Sequence, residues 1–190
     1  MISRNKISAK IHFITFLALA VALSPIGEAM ASSVHLKGGP RAKPAFTDLG
    51  LTLEASGALS GLGNADVLIT LAAMANPKGQ CCNPGGQCQV PGQNPAPVAV
   101  TGSEAIPAGE IKNGTTPFDV TTESPTSPIP GAPDCPNTSW KENITDMAFT
   151  SAVITVEQPP GTTVLTVSCA ISPPTSDGAV PSQTVTCVAS

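Results

Sequence analysis

The fold is decided by residues 152–169, which read AVITVEQPPGTTVLTVSC. Small or apolar side chains alternate with mostly polar ones in the two halves of this segment, and a Pro-Pro-Gly sequence at residues 159–161 separates the halves. A period of two residues, together with many β-branched side chains, is typical of β-strands. We therefore predict two β-strands that are linked by a turn.

The same alternation recurs along the rest of the chain. It is found at residues 49–55, 67–75, 118–121 and 184–189. Gly- and Asn-containing stretches separate these segments, whereas no helical period of more than about ten residues is convincing after the first 31 residues. We predict an all-β fold, namely an immunoglobulin-like antiparallel β-sandwich of seven to eight strands that is stabilised by disulfides. An open β-barrel is the alternative.

The composition limits both the core and the partners. Only 3% of the 190 residues are aromatic and 12% are charged, so aliphatic side chains have to form most of the core. Such a core is modest, and disulfides would compensate for it. The formal net charge is −4, which disfavours a basic nucleic-acid-binding protein, and we expect no nucleic-acid partner.

Residues 1–31 have the three parts of a secretory signal peptide. Three basic residues precede position 11, an apolar run follows at residues 13–23, and Ala29-Met30-Ala31 supplies small residues for cleavage. The apolar run is too short to span a bilayer, which needs about 20 residues. We expect cleavage after Ala31, with an uncleaved anchor as the alternative.

This cleavage divides the chain into a signal peptide at residues 1–31, an N-terminal extension at 32–44 and a β-sandwich domain at 45–190. No later segment has the roughly 18 apolar residues that a membrane span requires. We therefore expect a secreted protein, extracellular or periplasmic, that has no membrane span after cleavage.

All cysteines follow the predicted cleavage site. An even number of cysteines in an exported chain indicates disulfides, here up to three. The six are Cys81, Cys82, Cys88, Cys135, Cys169 and Cys187. Cys169 and Cys187 each lie on the apolar face of a predicted strand, so a bridge between adjacent strands or across the two sheets is geometrically reasonable.

Two long stretches, residues 76–96 and 123–139, lack alternation and are rich in Pro. Loops of this length are usually functional or disordered, and the cysteines within them favour order. Their Pro-rich parts are expected to be extended and stiff.

The four cysteines of these stretches are expected to pair with one another. We favour Cys82–Cys88 as a small local ring and Cys81–Cys135 as a tie between the stretches. The tie requires both stretches to leave the sandwich at one end. A full strand at residues 105–111 would instead place them at opposite ends of an up-and-down chain.

No catalytic constellation of a common type is present. His35 is the one histidine after the predicted cleavage site, and a residue so near a terminus is expected to be exposed or lightly packed. The nucleophile elbow, the phosphate-binding loop and the His-Glu-x-x-His helix are all missing. We therefore predict no enzyme and no cofactor, with a small hydrolase that uses Asp134, Glu142 or Asp146 as a further alternative.

The metal-binding signals are also few. The cysteine spacing does not match the paired C-x₂-C pattern of structural zinc sites. Calcium needs several oxygen ligands, which Asp48, Asp66, Glu142 and Asp146 offer, but no EF-hand loop surrounds them. We predict no metal site and keep calcium as an alternative.

Trp140 is the one tryptophan and lies close to several acids. It is suited either to stack on a sugar ring or anchor a protein partner, or simply to cap the core. The leading hypothesis is a non-enzymatic surface or interaction module whose two stiff stretches display a binding surface for an unknown protein or glycan. The alternative is a carbohydrate- or calcium-binding module that is centred on Trp140 with Asp134, Glu142 and Asp146.

Four runs of sequence resemble a family of small exported bacterial proteins that has no established function. They are VHLKGG at residues 34–39, GQNPAPV at 92–98, IKNG at 111–114 and GAPDCPN at 131–137. The likeness spans most of the chain after the signal peptide, and none of the runs is catalytic in type. The resemblance implies export from a bacterium and a compact domain, and it adds no information on an active site. The Cys81-Cys82 doublet and Cys88 are unusual for such sequences.

Overall fold

The computed structural model describes residues 34–39 and 41–190. Within these residues the regular structure consists of eleven β-strands and two 3-10 helices of three residues each, Ala108–Glu110 and Ser182–Thr184. Among them no helix is long and apolar enough to cross a membrane. The predicted signal peptide at residues 1–31 lies outside the described residues.

The strands are of very unequal length, because β4 and β8 have 16 and 17 residues whereas three others have two residues each. In chain order they are β1 His35–Leu36, β2 Ala45–Asp48, β3 Leu53–Ser60, β4 Val67–Cys82, β5 Cys88–Gln89, β6 Val98–Ile106, β7 Thr115–Thr121, β8 Lys141–Glu157, β9 Thr163–Ile171, β10 Gly178–Ala179 and β11 Val185–Ala189.

The strands form two sheets in which every pair is antiparallel. In the first sheet, β3 pairs with β7 on one side and with both β1 and β2 on the other, and β10 extends the sheet beyond β2. In the second sheet the order is β11, β9, β8, β4, and the far side of β4 pairs first with β6 and then with β5. The all-β class with two antiparallel sheets is thus confirmed.

Residues from both sheets share one hydrophobic core. Phe46, Leu53, Leu59 and Val120 of the first sheet join Ile69, Leu71, Phe149, Ile154 and Val167 of the second in the same buried cluster. Aliphatic side chains dominate the cluster, as the composition predicts. The finer prediction, an immunoglobulin-like sandwich of seven to eight strands, is not confirmed by this arrangement of eleven strands.

The first predicted strand is wrong in its bounds. The chain turns after β2, since the Leu49 N–H donates to the Thr52 carbonyl at 2.9 Å and Gly50 has a φ of 86°. Leu49 is 53% exposed, and only Leu53 and Ala55 of the predicted apolar face are buried. The Leu-Gly-Leu alternation therefore runs across a turn, where glycine supplies the left-handed conformation.

The prediction that residues 76–96 form one long loop is also wrong. β4 continues to Cys82, because β8 begins at Lys141 and pairs with it throughout. Pro77 lies inside β4, but at a point where β6 has already ended on the other side of the strand. A proline is better tolerated where its strand has a partner on one side only, because fewer backbone hydrogen bonds are lost there.

The expected N-terminal extension at residues 32–44 includes part of the first sheet. His35 and Leu36 pair with Ser60 and Leu59 as β1, and the Leu36 side chain is buried in the core. The His35 side chain is exposed. The sheets therefore begin ten residues before the predicted domain start at Ala45.

The two sheets approach each other closely where β6 passes the end of β7. A Cβ atom on Gly102 would lie 1.9 Å from the carbonyl oxygen of Thr121. Next to this contact, the Glu123 N–H donates to the carbonyl of Thr101 at 2.8 Å. Glycine at position 102 is required for this approach, which directs the chain after β7 along the outer edge of β6.

We predict that Gly102→Ala lowers the free energy of unfolding by about 3 kcal/mol, because the backbones have to separate to admit a methyl group. Urea denaturation with the disulfides intact measures the change. Gly109→Ala is the matched control, since a Cβ there meets no atom within 4 Å, and we expect it to change stability by less than about 0.5 kcal/mol. Equal losses in the two variants would contradict this account of the contact.

Candidate functional site

A groove of about 700 Å³ lies between two Pro-rich segments of the chain, residues 93–101 and 123–134. We call it the proline groove. Its prolines are Pro95, Pro97, Pro125, Pro130 and Pro133. Val98 and Val100 of β6 and Ile144 of β8 add apolar surface, while Gln93, Thr101 and Thr126 add polar groups.

Hydrogen bonds to neighbouring elements hold both walls of the proline groove. The first wall is tied to the second, because Gln93 Nε2 donates to Asp134 Oδ1 at 2.7 Å. The second wall is tied to β8, where the Ile129 N–H donates to the Glu142 carbonyl at 2.7 Å and the Ile144 N–H donates to Ser127 Oγ at 3.1 Å. Both walls are therefore ordered even though neither is a regular strand for most of its length.

Disulfides reinforce the same region. Cys81–Cys135 joins the end of β4 to the second wall, and Cys82–Cys88 closes the hairpin of β4 with β5. Cys169–Cys187 joins directly opposed residues of the adjacent strands β9 and β11. All three predicted pairings are confirmed.

The condition for the Cys81–Cys135 bridge is met by the path of the chain. β6 ends at Ile106 and is followed by a short 3-10 helix, so residues 105–111 do not form a full strand. β6 runs away from the cysteines, antiparallel to β4, and β7 ends beside Thr101 and Gly102 of β6. Both Pro-rich segments therefore lie at one end of the sheets.

The charge of the proline groove is negative. Glu123 and Asp134 line it, and no Lys, Arg or His is among its lining residues. Asp134 is half-buried and Glu123 is exposed. Anionic side chains without a lining cation favour a positively charged ligand.

The structure does not bring the four predicted binding residues together into one site. Asp134 lines the proline groove, but Trp140 is half-buried just before β8 and does not line it. Asp146 forms an ion pair with Lys78, with 2.5 Å between Oδ2 and Nζ. This pairing raises the pKa of Lys78. A single cleft of Trp140 with converging acids is therefore not found among these residues.

Glu142 is in a different environment from the other acids, because its side chain is completely buried. Its Oε2 accepts a hydrogen bond from the Asp134 N–H at 3.2 Å. Its Oε1 has no hydrogen-bond partner in the part of the chain that the structure describes. Glu142 lies opposite Cys81 in the β4–β8 ladder. Through its hydrogen bond to Asp134 it supports the second wall of the groove. The sequence pattern did not indicate that Glu142 is buried.

The other calcium candidates bind protein groups instead. Asp66 Oδ1 accepts a hydrogen bond from the Ala108 N–H at 2.8 Å. Asp48 is buried, and it accepts hydrogen bonds from the Gly50 N–H at 2.9 Å and from the Thr175 hydroxyl. Across residues 34–39 and 41–190, no group of three or more His, Cys, Asp or Glu side chains is placed to hold a metal ion.

Several residues of the proline groove were not indicated by any sequence pattern. Ala99 and Thr101 belong to β6, a strand that was not predicted, and Glu123 was not singled out among the acids. The available signal was the Pro content of the two long stretches. It indicated a stiff surface, but not that the stretches face each other.

Comparisons with protein-family models, curated proteins and solved structures found no significant match to this chain. The resemblance to small exported bacterial proteins stays a prediction.

We predict that the disulfides differ in their contribution to stability in the order of the chain length they close. The separations are 54 residues for Cys81–Cys135, 18 for Cys169–Cys187 and 6 for Cys82–Cys88. Loop entropy then gives losses of roughly 4, 3 and 2 kcal/mol on replacement of each pair by alanine. Urea denaturation of the three double variants measures them, and a loss for Cys82–Cys88 as large as that for Cys81–Cys135 would contradict the order.

We also predict that ionisation of the buried Asp48 carboxyl lowers the free energy of unfolding as the pH rises. Burial raises the pKa of Asp48 above its ordinary value of 3.8, with the nearby charges of Asp146 and Asp177 acting in the same direction and its two hydrogen bonds against it. A raised folded-state pKa gives stability that is complete below the unfolded-state pKa and is lost as the pH rises through the folded-state pKa.

The Asp48→Asn variant removes this titration and keeps an amide oxygen for the Gly50 N–H. Relative to the wild type, its free energy of unfolding should therefore increase as the pH rises from the ordinary Asp pKa of 3.8 through the raised pKa of the folded state. Denaturation of both proteins across this pH range checks it. Profiles that run parallel would show that Asp48 does not titrate differently in the folded state.

Proposed function

We propose that this protein is a non-enzymatic interaction module of an oxidising compartment, and that its proline groove binds an extended segment of a partner polypeptide. The observation that carries the proposal is the position of the groove between the two Pro-rich segments, at the end of the sheets that Cys81–Cys135 fastens. The structure has three disulfides, which are typical of extracellular or periplasmic proteins. They support the proposed export after cleavage at residue 31.

The proline groove has the size and rigidity of a binding site. Its volume of about 700 Å³ falls within the roughly 300–1,000 Å³ typical of ligand pockets. Proline walls that are held by hydrogen bonds and a disulfide lose little conformational entropy when a ligand binds. An open, partly apolar groove between two chain segments suits an extended polypeptide better than a compact ligand.

The non-enzymatic part of the proposal rests on the separate environments of the three acids that a hydrolase would use. Asp134 lines the groove, Glu142 is completely buried and Asp146 is paired with Lys78. Two carboxylates that act on one bond have to reach it from both sides in a common cleft. The same separation makes a carbohydrate or calcium site centred on Trp140 the less supported function.

We also propose that the fold is immunoglobulin-like. Two antiparallel sheets that share one core, with eight strands of four or more residues, support it. Binding through segments at one end of a sandwich is the usual arrangement in immunoglobulin-like domains.

We predict that filling the proline groove abolishes peptide binding. Thr126 is exposed and lines the groove, so Thr126→Trp places an indole in it. Selection from a random library of capped twelve-residue peptides, with the disulfides intact, should enrich binders on the wild type that bind this variant at least tenfold more weakly.

The matched control is Thr163→Trp, since Thr163 is also exposed but does not line the groove. Selected peptides should bind this control as they bind the wild type. The proposed function is wrong if the library yields no binder, or if the enriched peptides bind both tryptophan variants equally well. A glycan or Ca²⁺ that quenches Trp140 fluorescence, with no effect of Thr126→Trp, would favour the alternative module.

A further inference from the structure

The edge of β6 that borders the proline groove carries unused backbone groups. β6 pairs with β4 on one side only. The Thr101 carbonyl accepts a hydrogen bond from the Glu123 N–H, so it points away from β4. In an antiparallel pair, the N–H and C=O of one residue point the same way and the direction alternates along the strand. The N–H and C=O of Ala99 and the N–H of Thr101 therefore also point away from β4.

These three groups lie where a ligand can reach them. Ala99 and Thr101 are exposed and both line the proline groove. In the described residues, no backbone hydrogen bond outside the β4–β6 ladder involves the N–H or C=O of Ala99 or the N–H of Thr101. An exposed row of backbone donors and acceptors is a template for one more strand.

We infer that the proline groove takes up a basic, extended segment of a partner polypeptide as an added β-strand on the edge of β6. This inference rests on the proposed function and names its mode of binding and the chemistry of the partner. The bound strand accepts from the N–H of Ala99 and the N–H of Thr101 and donates to the C=O of Ala99.

The ends of this edge define the length of the added strand. Pro97 has no N–H, and the Thr101 carbonyl is already bound to Glu123. The available edge therefore consists of the N–H and C=O of Ala99 and the N–H of Thr101. Such a short edge, with Pro97 at one end and the Glu123–Thr101 hydrogen bond at the other, is protected against pairing with unrelated strands.

The charge of the groove selects the partner. Glu123 and Asp134 line it without any lining cation, so a segment that carries Lys or Arg is attracted and an acidic one is repelled. The same charges disfavour a second copy of this chain on the edge. Pairing of two β6 edges would bring two copies of Glu123 close together.

The test uses the full exported chain with intact disulfides and a labelled, capped hexapeptide of alternating valine and lysine. Fluorescence anisotropy at low salt gives its Kd. Two control peptides are matched to it: one has glutamate in place of lysine, and the other is N-methylated at alternate residues so that one edge loses its backbone donors. We expect binding of the first peptide, and at least tenfold weaker binding of both controls.

Two edge variants separate strand addition from other contacts. Ala99→Pro removes the N–H that faces the groove, and proline is tolerated at such positions of edge strands. Ala105→Pro is its matched control, because Ala105 is exposed on the same edge but does not line the groove. We expect at least a tenfold loss of affinity for Ala99→Pro and an unchanged Kd for Ala105→Pro.

The charge contribution is tested by Glu123→Gln with Asp134→Asn, in which Asn keeps an oxygen for Gln93. This double variant should bind the lysine peptide several-fold more weakly and with a smaller dependence on salt. Circular dichroism and cystine mapping establish that each variant is folded. If Ala99→Pro does not fold, the N-methylated peptide on the wild type decides the question.

The outcomes distinguish this inference from the proposed function. If Thr126→Trp abolishes binding but Ala99→Pro and N-methylation do not, strand addition is wrong and the groove function stands. If library-selected peptides bind while the valine–lysine peptide does not, the basic partner is wrong. If neither kind of peptide binds, both proposals fail. A dimer in sedimentation that Ala99→Pro dissociates would show that a second copy occupies the edge and would overturn the inference.

Discussion

The long antiparallel ladder between β4 and β8 is the interaction on which the rest of the structure depends. It extends from Leu68 opposite Glu157 to Cys82 opposite Lys141 and passes two register shifts. Its inner half carries fully buried residues such as Ile69 and Ile154, which pack against the first sheet. Its outer half continues past Val98, where β6 begins, and this extension carries Cys81 to the level of the second wall of the groove. One ladder thus supports both the core and the candidate site.

Two constraints outside the ladder shape the proline groove. At Gly102 the backbones of β6 and the end of β7 approach more closely than any side chain would allow, which sends the chain along the edge of β6. At Cys135 the disulfide returns the same segment to β4. Between these points the wall is not extended throughout as expected, because it turns where the Ala132 N–H donates to the Ile129 carbonyl at 3.3 Å. Its prolines have a restricted φ, so little freedom is left to lose. The groove is therefore a preformed gap and needs no rearrangement to be open.

A good part of this structure was predictable from local patterns, and the failures have identifiable causes. The alternation at residues 152–169 correctly indicated paired strands. Strand faces suggested Cys169–Cys187 and short spacing suggested Cys82–Cys88, whereas Cys81–Cys135 depended on both stretches leaving the sheets at one end. The turn at Leu49 was missed because alternating leucines continue across it. The outer half of β4 was missed because Asn76, Pro77 and Lys78 do not form a pattern typical of a strand. These residues are in a strand because β8 supplies a partner, and local sequence does not contain that information.

The residues of the candidate site also divide into features that the sequence predicts and features that depend on the tertiary structure. The sequence by itself determined the alternating strands, the aliphatic core, the Pro-rich composition of two segments and the cysteines suited to pair, because each depends on neighbouring residues or on composition. Only the tertiary structure decided that Glu142 is buried, that Asp146 meets Lys78, and that Glu123 and Asp134 share one groove. The physical reason is that an acid's surroundings are set by the register of the ladder and by the strands opposite it. Those contacts join residues far apart in the chain.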